Sequence, residues 1–441
     1  MNYPSWIKEK LLSLIKEMDQ YHWLFTHNAE KDFSRIKKWS FEEVMRFIIS
    51  MEGKALKDEI LEHFNFSTET PTNSSFNQRR AQILPEAFEF LFREFNKSIS
   101  KDRLYRGYRL LAYDGSDLVI PYNPQDESTY YQTAPDSKGI NVLHLNVLYD
   151  LLARSYTDVI IQSIRQKNEF LAMCNMIDRD QRNTKAIFIA DRGLESYNVL
   201  AHVQERKQFY LIRVKDITSK NGIIPSIASK LHLDQDSFDE TLTITLTKKN
   251  TNAVKADPEK YHILSSKSTF DFLDLYFRQF YEMKIRVVRL ALSDGNYECI
   301  LTNLPKEEFS AGEIKELYHM RWGIETSFRE LKYSIGLSHF HSKKTDYIKQ
   351  EIWARLILYN FCEAITTRSI MNQSNRQRKH IYQLNYTRAI HICRFFLAIR
   401  KEAPPDVEFL ISRELLPVRP GRSDPRKVKV QSAVSFLYRV A

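Results

Sequence analysis

The run Lys185-Ala-Ile-Phe-Ile-Ala190, closed by Asp191-Arg192-Gly193, constrains the fold of this chain more than any other segment. Five apolar residues in a row, with β-branched and aromatic members, suit a strand covered on both faces. Its flanks extend the pattern. Tyr108 to Tyr113 reads as a strand that ends in the turn-like Asp114-Gly115-Ser116, Ile140 to Tyr149 alternates as a second strand, and Ser155 to Gln162 is a third. Short connections suit an antiparallel meander. A helix from Glu169 to about Asp178 leads into the apolar strand. A helix from Ser196 to Arg206 and a strand from Phe209 to Val214 follow it.

Three strands, helix, strand, helix, strand is the order of a ribonuclease H-like α/β core. The closing helix of such a core does not come next. Thr241 to Thr247, Ile285 to Leu292 and Glu298 to Thr302 are strand-like instead, and helical spacing returns only at Ser310 to Ser334. The expected organisation is therefore a helical N-terminal DNA-binding domain (1–100) and a first part of the core (101–215). A β-rich insertion (216–305) and the closing helix of the core (306–345) come next. A helical, basic C-terminal region (346–441) ends the chain. In the first segment, two short helices and a basic helix from Ser75 to Arg80 read equally as a helix-turn-helix or as part of a plain bundle.

Charge narrows the class of partner. The chain of 441 residues carries a net charge of +10, and the surplus is local: Arg368 to Lys429 holds 14 Lys and Arg against five Asp and Glu. A concentrated basic surface favours a polyanion, and nucleic acid is the commonest. No G-x-x-x-x-G-K-[ST] occurs, which argues against a P-loop nucleotide hydrolase. The four cysteines form no C-x-x-C pair, so neither a zinc site nor a disulfide framework is indicated. The N-terminus lacks the apolar stretch of a signal peptide, and no run is long enough to span a membrane, so a cytoplasmic, nucleoid-associated location is expected.

The chemistry concentrates in Tyr318-His-Met-Arg321-Trp-Gly-Ile-Glu325-Thr-Ser-Phe-Arg-Glu-Leu-Lys332. At about 100° per residue, Tyr318, Arg321, Glu325 and Lys332 share roughly 60° of a helix. One stripe then carries a carboxylate to bind metal, and two cations and a phenol to reach phosphates. Asp114 and Asp191 close two strands that are neighbours in this fold order. Three carboxylates suffice for two hard cations about 3.5–4 Å apart, which clamp the attacking and leaving oxygens of a phosphodiester. Gly115 and Gly193, next to the aspartates, would ease turns and ligand access.

These residues resemble the DDE transposases of bacterial insertion sequences, in the group marked by Tyr-x2-Arg-x3-Glu-x6-Lys, the insertion sequence four family. Tyr318, Arg321, Glu325 and Lys332 match at every spacing, and Asp114-Gly-Ser and Ala190-Asp-Arg-Gly193 resemble the other two catalytic blocks. Asp136 to His144 resembles the segment after the first aspartate, and Leu416 to Arg426 resembles the basic ending common in the group. The resemblance implies that Asp114, Asp191 and Glu325 are catalytic ligands of two Mg2+ or Mn2+ ions. It implies that Tyr318, Arg321 and Lys332 hold the transposon end, including a base turned out of the stack. Arg419, Arg422 and Arg426 are candidate DNA contacts in the tail. The implied activity is metal-dependent cleavage and strand transfer by a cut-and-paste route. The implied partners are double-stranded DNA (terminal inverted repeats and target) and a second copy in a synaptic homodimer. A ribonuclease H-like nuclease, or a catalytically silent DNA-binding derivative, is the alternative.

Two side readings complete the picture. Trp322 adjoins the stripe and could stack on a base, although a core position is the expected role. His339-Phe-His341 could bind metal, yet beside Lys343 and Lys344 solvated histidines are expected.

Overall fold

The computed structural model describes residues 2–35, 37–100, 103–132, 134, 138–231, 236–274, 276–292, 295–373, 382–399 and 405–417. The chain starts as a helical bundle: α1 (Tyr3–Gln20), α2 (Phe41–Ser50), α3 (Leu56–His63), α4 (Asn73–Arg80) and α5 (Pro85–Ile99). Asn2, Ser40 and Thr72 cap α1, α2 and α4 by accepting backbone N–H bonds, which satisfies donors that a helix start leaves unpaired. α2 buries Phe41, Val44, Met45, Ile48 and Ile49, the apolar set that its spacing predicts. The basic end of α4 faces inward. Arg80 is fully buried, donates to Gln350 at 2.8 Å and pairs with Glu351 at 2.9 Å. The end of α4 is thus tied to α12 through Arg80.

A ten-stranded sheet follows. Its first strands are β1 (Arg109–Ile120), β2 (Tyr130–Tyr131), β3 (Ile140–Asp150) and β4 (Ser155–Ser163). Then come α6 (Glu169–Arg179), β5 (Ala186–Ala190), α7 (Tyr197–Glu205) and β6 (Phe209–Val214). β3 pairs antiparallel with β1 and with β4, whereas β5 pairs parallel with β1 and with β6. The short β2 also lies on β3. All five residues of β5 are buried, as its unbroken apolar run requires. One boundary differs from expectation. Asp114 lies inside β1 rather than at its end, because pairing with β3 carries the strand on to Ile120. The ladder to β5 stops at Ala112–Ile189, so Asp114 projects just where the parallel neighbour ends.

Residues 216–305 contain two four-residue helices, α8 (Ile223–Ser226) and α9 (Asn252–Lys255). They also contain β7 (Phe238–Thr247), β8 (Tyr261–Ile263), β9 (Tyr281–Ala291) and β10 (Tyr297–Thr302). These strands extend the central sheet instead of forming a sheet of their own. β10 joins β6 antiparallel, and β9, β7 and β8 continue the order outward. Ile285, Val287, Cys299 and Leu301 therefore share one core with α6 and α7.

The last part returns to helix: α10 (Ala311–His319), α11 (Trp322–Arg329) and a π turn from Glu330 to Ser334 lead to α12 (Thr345–Gln373). α12 runs through the protein with Ile352, Leu356, Tyr359 and Ile365 buried. The N-terminal helices and one face of the sheet share its core. β11 (Tyr382–Leu384), α13 (Tyr386–Ala398), α14 (Val407–Arg413) and β12 (Leu415–Pro417) complete the described chain, with β11 and β12 paired antiparallel. Arg419, Arg422, Arg426 and part of the Asp136–His144 segment lie outside the described residues.

Candidate active site

The parallel β1–β5 pair, with α10 and α11 packed beside it, brings the sequence-selected residues to one end of the sheet. Asp114 is largely buried. Burial raises its carboxyl to about 6; a bond from the Gly115 amide and the charge of Arg321 oppose this, while the charges of Glu325 and Asp191 add to it. The charges of Glu325 and Asp191 thus both reach the Asp114 carboxyl. Asp191 follows β5, accepts from the Tyr318 hydroxyl at 3.4 Å and pairs with Arg213 at 3.1 Å. Glu325 pairs with Arg321 at 2.7 Å. Lys332 also reaches β1: Nζ donates to Ser116 Oγ at 2.7 Å and to the Asp117 carbonyl at 3.0 Å.

The stripe of Tyr318, Arg321, Glu325 and Lys332 is not one straight α-helix. Arg321 N donates to Tyr318 O and Ile324 N to Arg321 O, the i to i+3 pattern of a tight turn between α10 and α11. The π turn from Glu330 then unwinds the segment. Glu330 anchors that turn inside the protein: Tyr359 donates to it at 3.2 Å, and Arg154 stands 3.8 Å away. A tightened turn followed by a widened one re-aims side chains that a helical wheel places by a constant angle. Gly323 sits where α11 presses on the sheet, since a Cβ there would lie 3.0 Å from Leu151 Cδ2.

Electrostatics gives the tyrosine a defined role. Burial, then the charge of Asp191, pushes the Tyr318 phenol up to about 12, so it keeps its proton and can donate. Burial pulls the Lys332 ammonium down, against the charges of Asp117 and Asp114.

The donor set suits a hard cation, since it consists of carboxylate oxygens. Among the described residues, no trio of His, Cys, Asp or Glu stands in an arrangement that would hold an ion as it is. Guanidinium groups engage two of the three carboxylates instead: Arg213 pairs with Asp191 and Arg321 with Glu325.

Several side chains depart from the sequence reading. Trp322 is 62% exposed, not a core residue; it follows the tight turn between α10 and α11. His341 is neither solvated nor arranged to bind metal: its ring is buried between Glu351 and Glu59, each at 3.2 Å. Those partners come from α12 and α3, distant in sequence, and no local pattern announces them. Sequence reasoning also missed Arg213, which binds Asp191 and lies over the Tyr318 ring at 5.9 Å. An arginine in an otherwise apolar strand, Phe209-Tyr-Leu-Ile-Arg-Val214, was the available signal.

Comparison with known proteins gives the family. Residues 105–361 match the family model described as the transposase DDE domain. The chain belongs to the DDE transposase family. It is 21% identical over 347 residues to the transposase for insertion sequence element IS1151 of Clostridium perfringens, covering 69% of each chain. It is 35% identical over 75 residues to the putative transposase InsL for IS186A of Escherichia coli K12, covering 17% of this chain and 20% of that one. With the transposase InsG for IS4, also of E. coli K12, identity is 28% over 137 residues, 27% of this chain and 29% of the relative. A piggyBac transposase, solved as a synaptic complex with hairpin DNA, aligns over 96% of this chain and 87% of that one at a TM-score of 0.45 and 10% identity. The protein is a DNA transposase, an enzyme that cleaves DNA and transfers strands. Among the described residues, no helix is long and apolar enough to cross a membrane.

Proposed function

We propose that this transposase mobilises an insertion sequence of the insertion sequence four kind by a cut-and-paste route. In this reading a ribonuclease H-like core, formed by β4-β3-β1-β5-β6, holds two Mg2+ or Mn2+ ions through Asp114, Asp191 and Glu325. The observation that supports it most is that the charges of Asp191 and Glu325 both reach Asp114, beside the end of the parallel β1–β5 pair, while Tyr318 bonds Asp191, Arg321 pairs with Glu325 and Lys332 bonds Ser116 of β1.

Bound divalent ions supply Lewis acidity and a hydroxide at neutral pH. The residues of the chain position the DNA. Arg321 leaves Glu325 for a phosphate of the transposon end, which frees the carboxylate. Lys332, braced on Ser116 and the Asp117 carbonyl, offers its charge to the same backbone. The protonated Tyr318 hydroxyl donates from the Asp191 side. The exposed Trp322 indole provides a face for an unpaired base, a contact worth about 1–3 kcal/mol. Two copies pair two ends, and the basic tail with Arg419, Arg422 and Arg426 adds phosphate contacts.

The test is incubation of the protein with magnesium and duplex DNA carrying the terminal repeats of its own element. Cleavage at the repeat and joining of the freed end to a second duplex are expected. Cleavage without joining would assign a nuclease instead. A folded protein that does neither, with magnesium or with manganese, would remove the reading.

A further inference from the structure

The inference below rests on Asp114 being a cation ligand. Side chains of β1 alternate between two faces of the sheet. Ala112 and Leu118 share a core with Ile324 and Phe328 of α11, so Asp114 and Ser116 face that side. Leu111 and Tyr113 pack with Met173 and Ile177 of α6, so Gly115 and Asp117 face the opposite side. The space behind Gly115, on the α6 side, is filled by His144 of β3.

His144 has no part in the chemistry outlined above, yet its surroundings are closely built. Its side chain is 1% exposed, and Nδ1 lies 2.6 Å from Asp117 Oδ1. Nε2 stands 3.2 Å from Glu169 Oε1 and, among the described residues, has no aligned hydrogen-bond partner. Lys167 closes the group, 3.3 Å from Asp117 and 3.0 Å from Glu169. The polar surroundings continue through Tyr113, whose hydroxyl donates to Asn146 at 2.7 Å, and through Asn146, which donates to Gln162 at 3.0 Å. Ion pairs and hydrogen bonds gathered where a strand meets a helix rigidify what they hold.

The unaligned Nε2 points at the catalytic strand. A Cβ on residue 115 would lie 2.6 Å from His144 Nε2 and 2.9 Å from Cε1. The imidazole therefore fills the volume that any side chain at 115 would need, and it touches the backbone one residue after Asp114. On the far side of the same peptide unit, the Gly115 amide donates to Asp114 Oδ1 at 2.8 Å. We propose that His144 is a positioning residue for Asp114. Its ring, held by Asp117 and Glu169, backs Gly115 and fixes the peptide from which the Asp114 carboxylate is presented to the ion.

A purely structural histidine, tying the start of α6 to the sheet, would affect melting but not ion binding. The experiment therefore reads ion binding directly. The full chain, bound to DNA carrying its own terminal repeats, is titrated with Mn2+, and free ion is followed by electron paramagnetic resonance. His144→Ala should raise the Mn2+ concentration for half-occupancy by roughly tenfold or more, the range for residues that orient a metal ligand. His144→Gln, which keeps a donor toward Asp117, should recover part of the loss. Gly115→Ala should weaken binding similarly. The double variant should be no worse than either single one, because both remove the same contact. Multiplicative losses in the double variant, or unchanged Mn2+ binding in a folded His144→Ala protein, would overturn the proposal. If His144→Ala does not fold, His144→Gln and Gly115→Ala carry the test. Asp114→Asn serves as the reference. If it leaves Mn2+ binding unchanged, the ligand reading itself fails; if it abolishes binding while the His144 variants do not move it, only the positioning role fails.

Discussion

Glu325→Gln separates chemistry from folding more cleanly than any other single change. The substitution keeps size and shape and removes one negative charge. Two structural consequences oppose each other. The 2.7 Å pair with Arg321 is lost; it is an i to i+4 pair with Glu325 one-third exposed, so its loss costs about 0.5 kcal/mol. Asp114 at the same time loses a repulsive neighbour, one of the charges that raise its carboxyl to about 6. The net change in stability should stay within about 0.5 kcal/mol, a shift in Tm of one or two degrees at most for a chain of this size. Catalysis should respond on another scale. If Lewis-acid stabilisation is worth several kcal/mol, taken as about 4, its loss slows cleavage about 10³-fold. Affinity for end DNA should hold or improve, since one charge that repels phosphates is gone. The assays are thermal melting, a gel-shift titration and single-turnover cleavage with Mg2+. A folded Glu325→Gln protein that still cuts its end DNA at near the parent rate would refute the assignment of Glu325 to the ion site. A cleavage loss that merely tracks a large drop in Tm would make the residue a structural salt-bridge partner.

Other outcomes follow from the same geometry. Lys332→Ala should weaken end binding by about ten- to a hundredfold, the range of a charge-assisted contact, and leave Mn2+ binding intact; equal affinity in a gel shift would place the DNA elsewhere. Removing Arg419, Arg422 and Arg426 together should flatten the slope of log affinity against log salt by up to about three units, and an unchanged slope takes them out of the interface. Stability should depend on pH through His341. Burial alone would lower this imidazole, but its bonds to Glu351 and Glu59 raise it to about 9. Because the folded value lies above the unfolded one, near 6.5, the stabilisation is complete below pH 6.5 and fades as pH rises through about 9. It should amount to about 3 kcal/mol. Denaturant titrations of His341→Gln and parent at pH 6 and pH 9.5 should differ mainly at pH 6, and a pH-independent gap would contradict the pairing.

The residues that classify this protein were legible before any coordinates. The apolar run before Asp191 required a strand buried on both faces, and the spacing from Tyr318 to Lys332 fixed which side chains could act together. Period and spacing are local properties, set by backbone geometry over a few residues. What they could not convey was path and contact. Asp114 stands mid-strand because β3, some thirty residues away, extends the ladder. The strands of 216–305 join the central sheet because β10 finds β6. The supposed single helix bends twice, tightened near Arg321 and unwound at Glu330, where Tyr359 and Arg154 hold the Glu330 carboxylate. His341, Arg80 and His144 take their roles from carboxylates on other elements. Such partners are selected by packing across long sequence separations, where burial makes an unpaired charge costly and a close pair necessary. The sequence alone thus determined the chemistry available to this chain. Tertiary structure decided which cations hold its carboxylates and which tryptophan faces solvent.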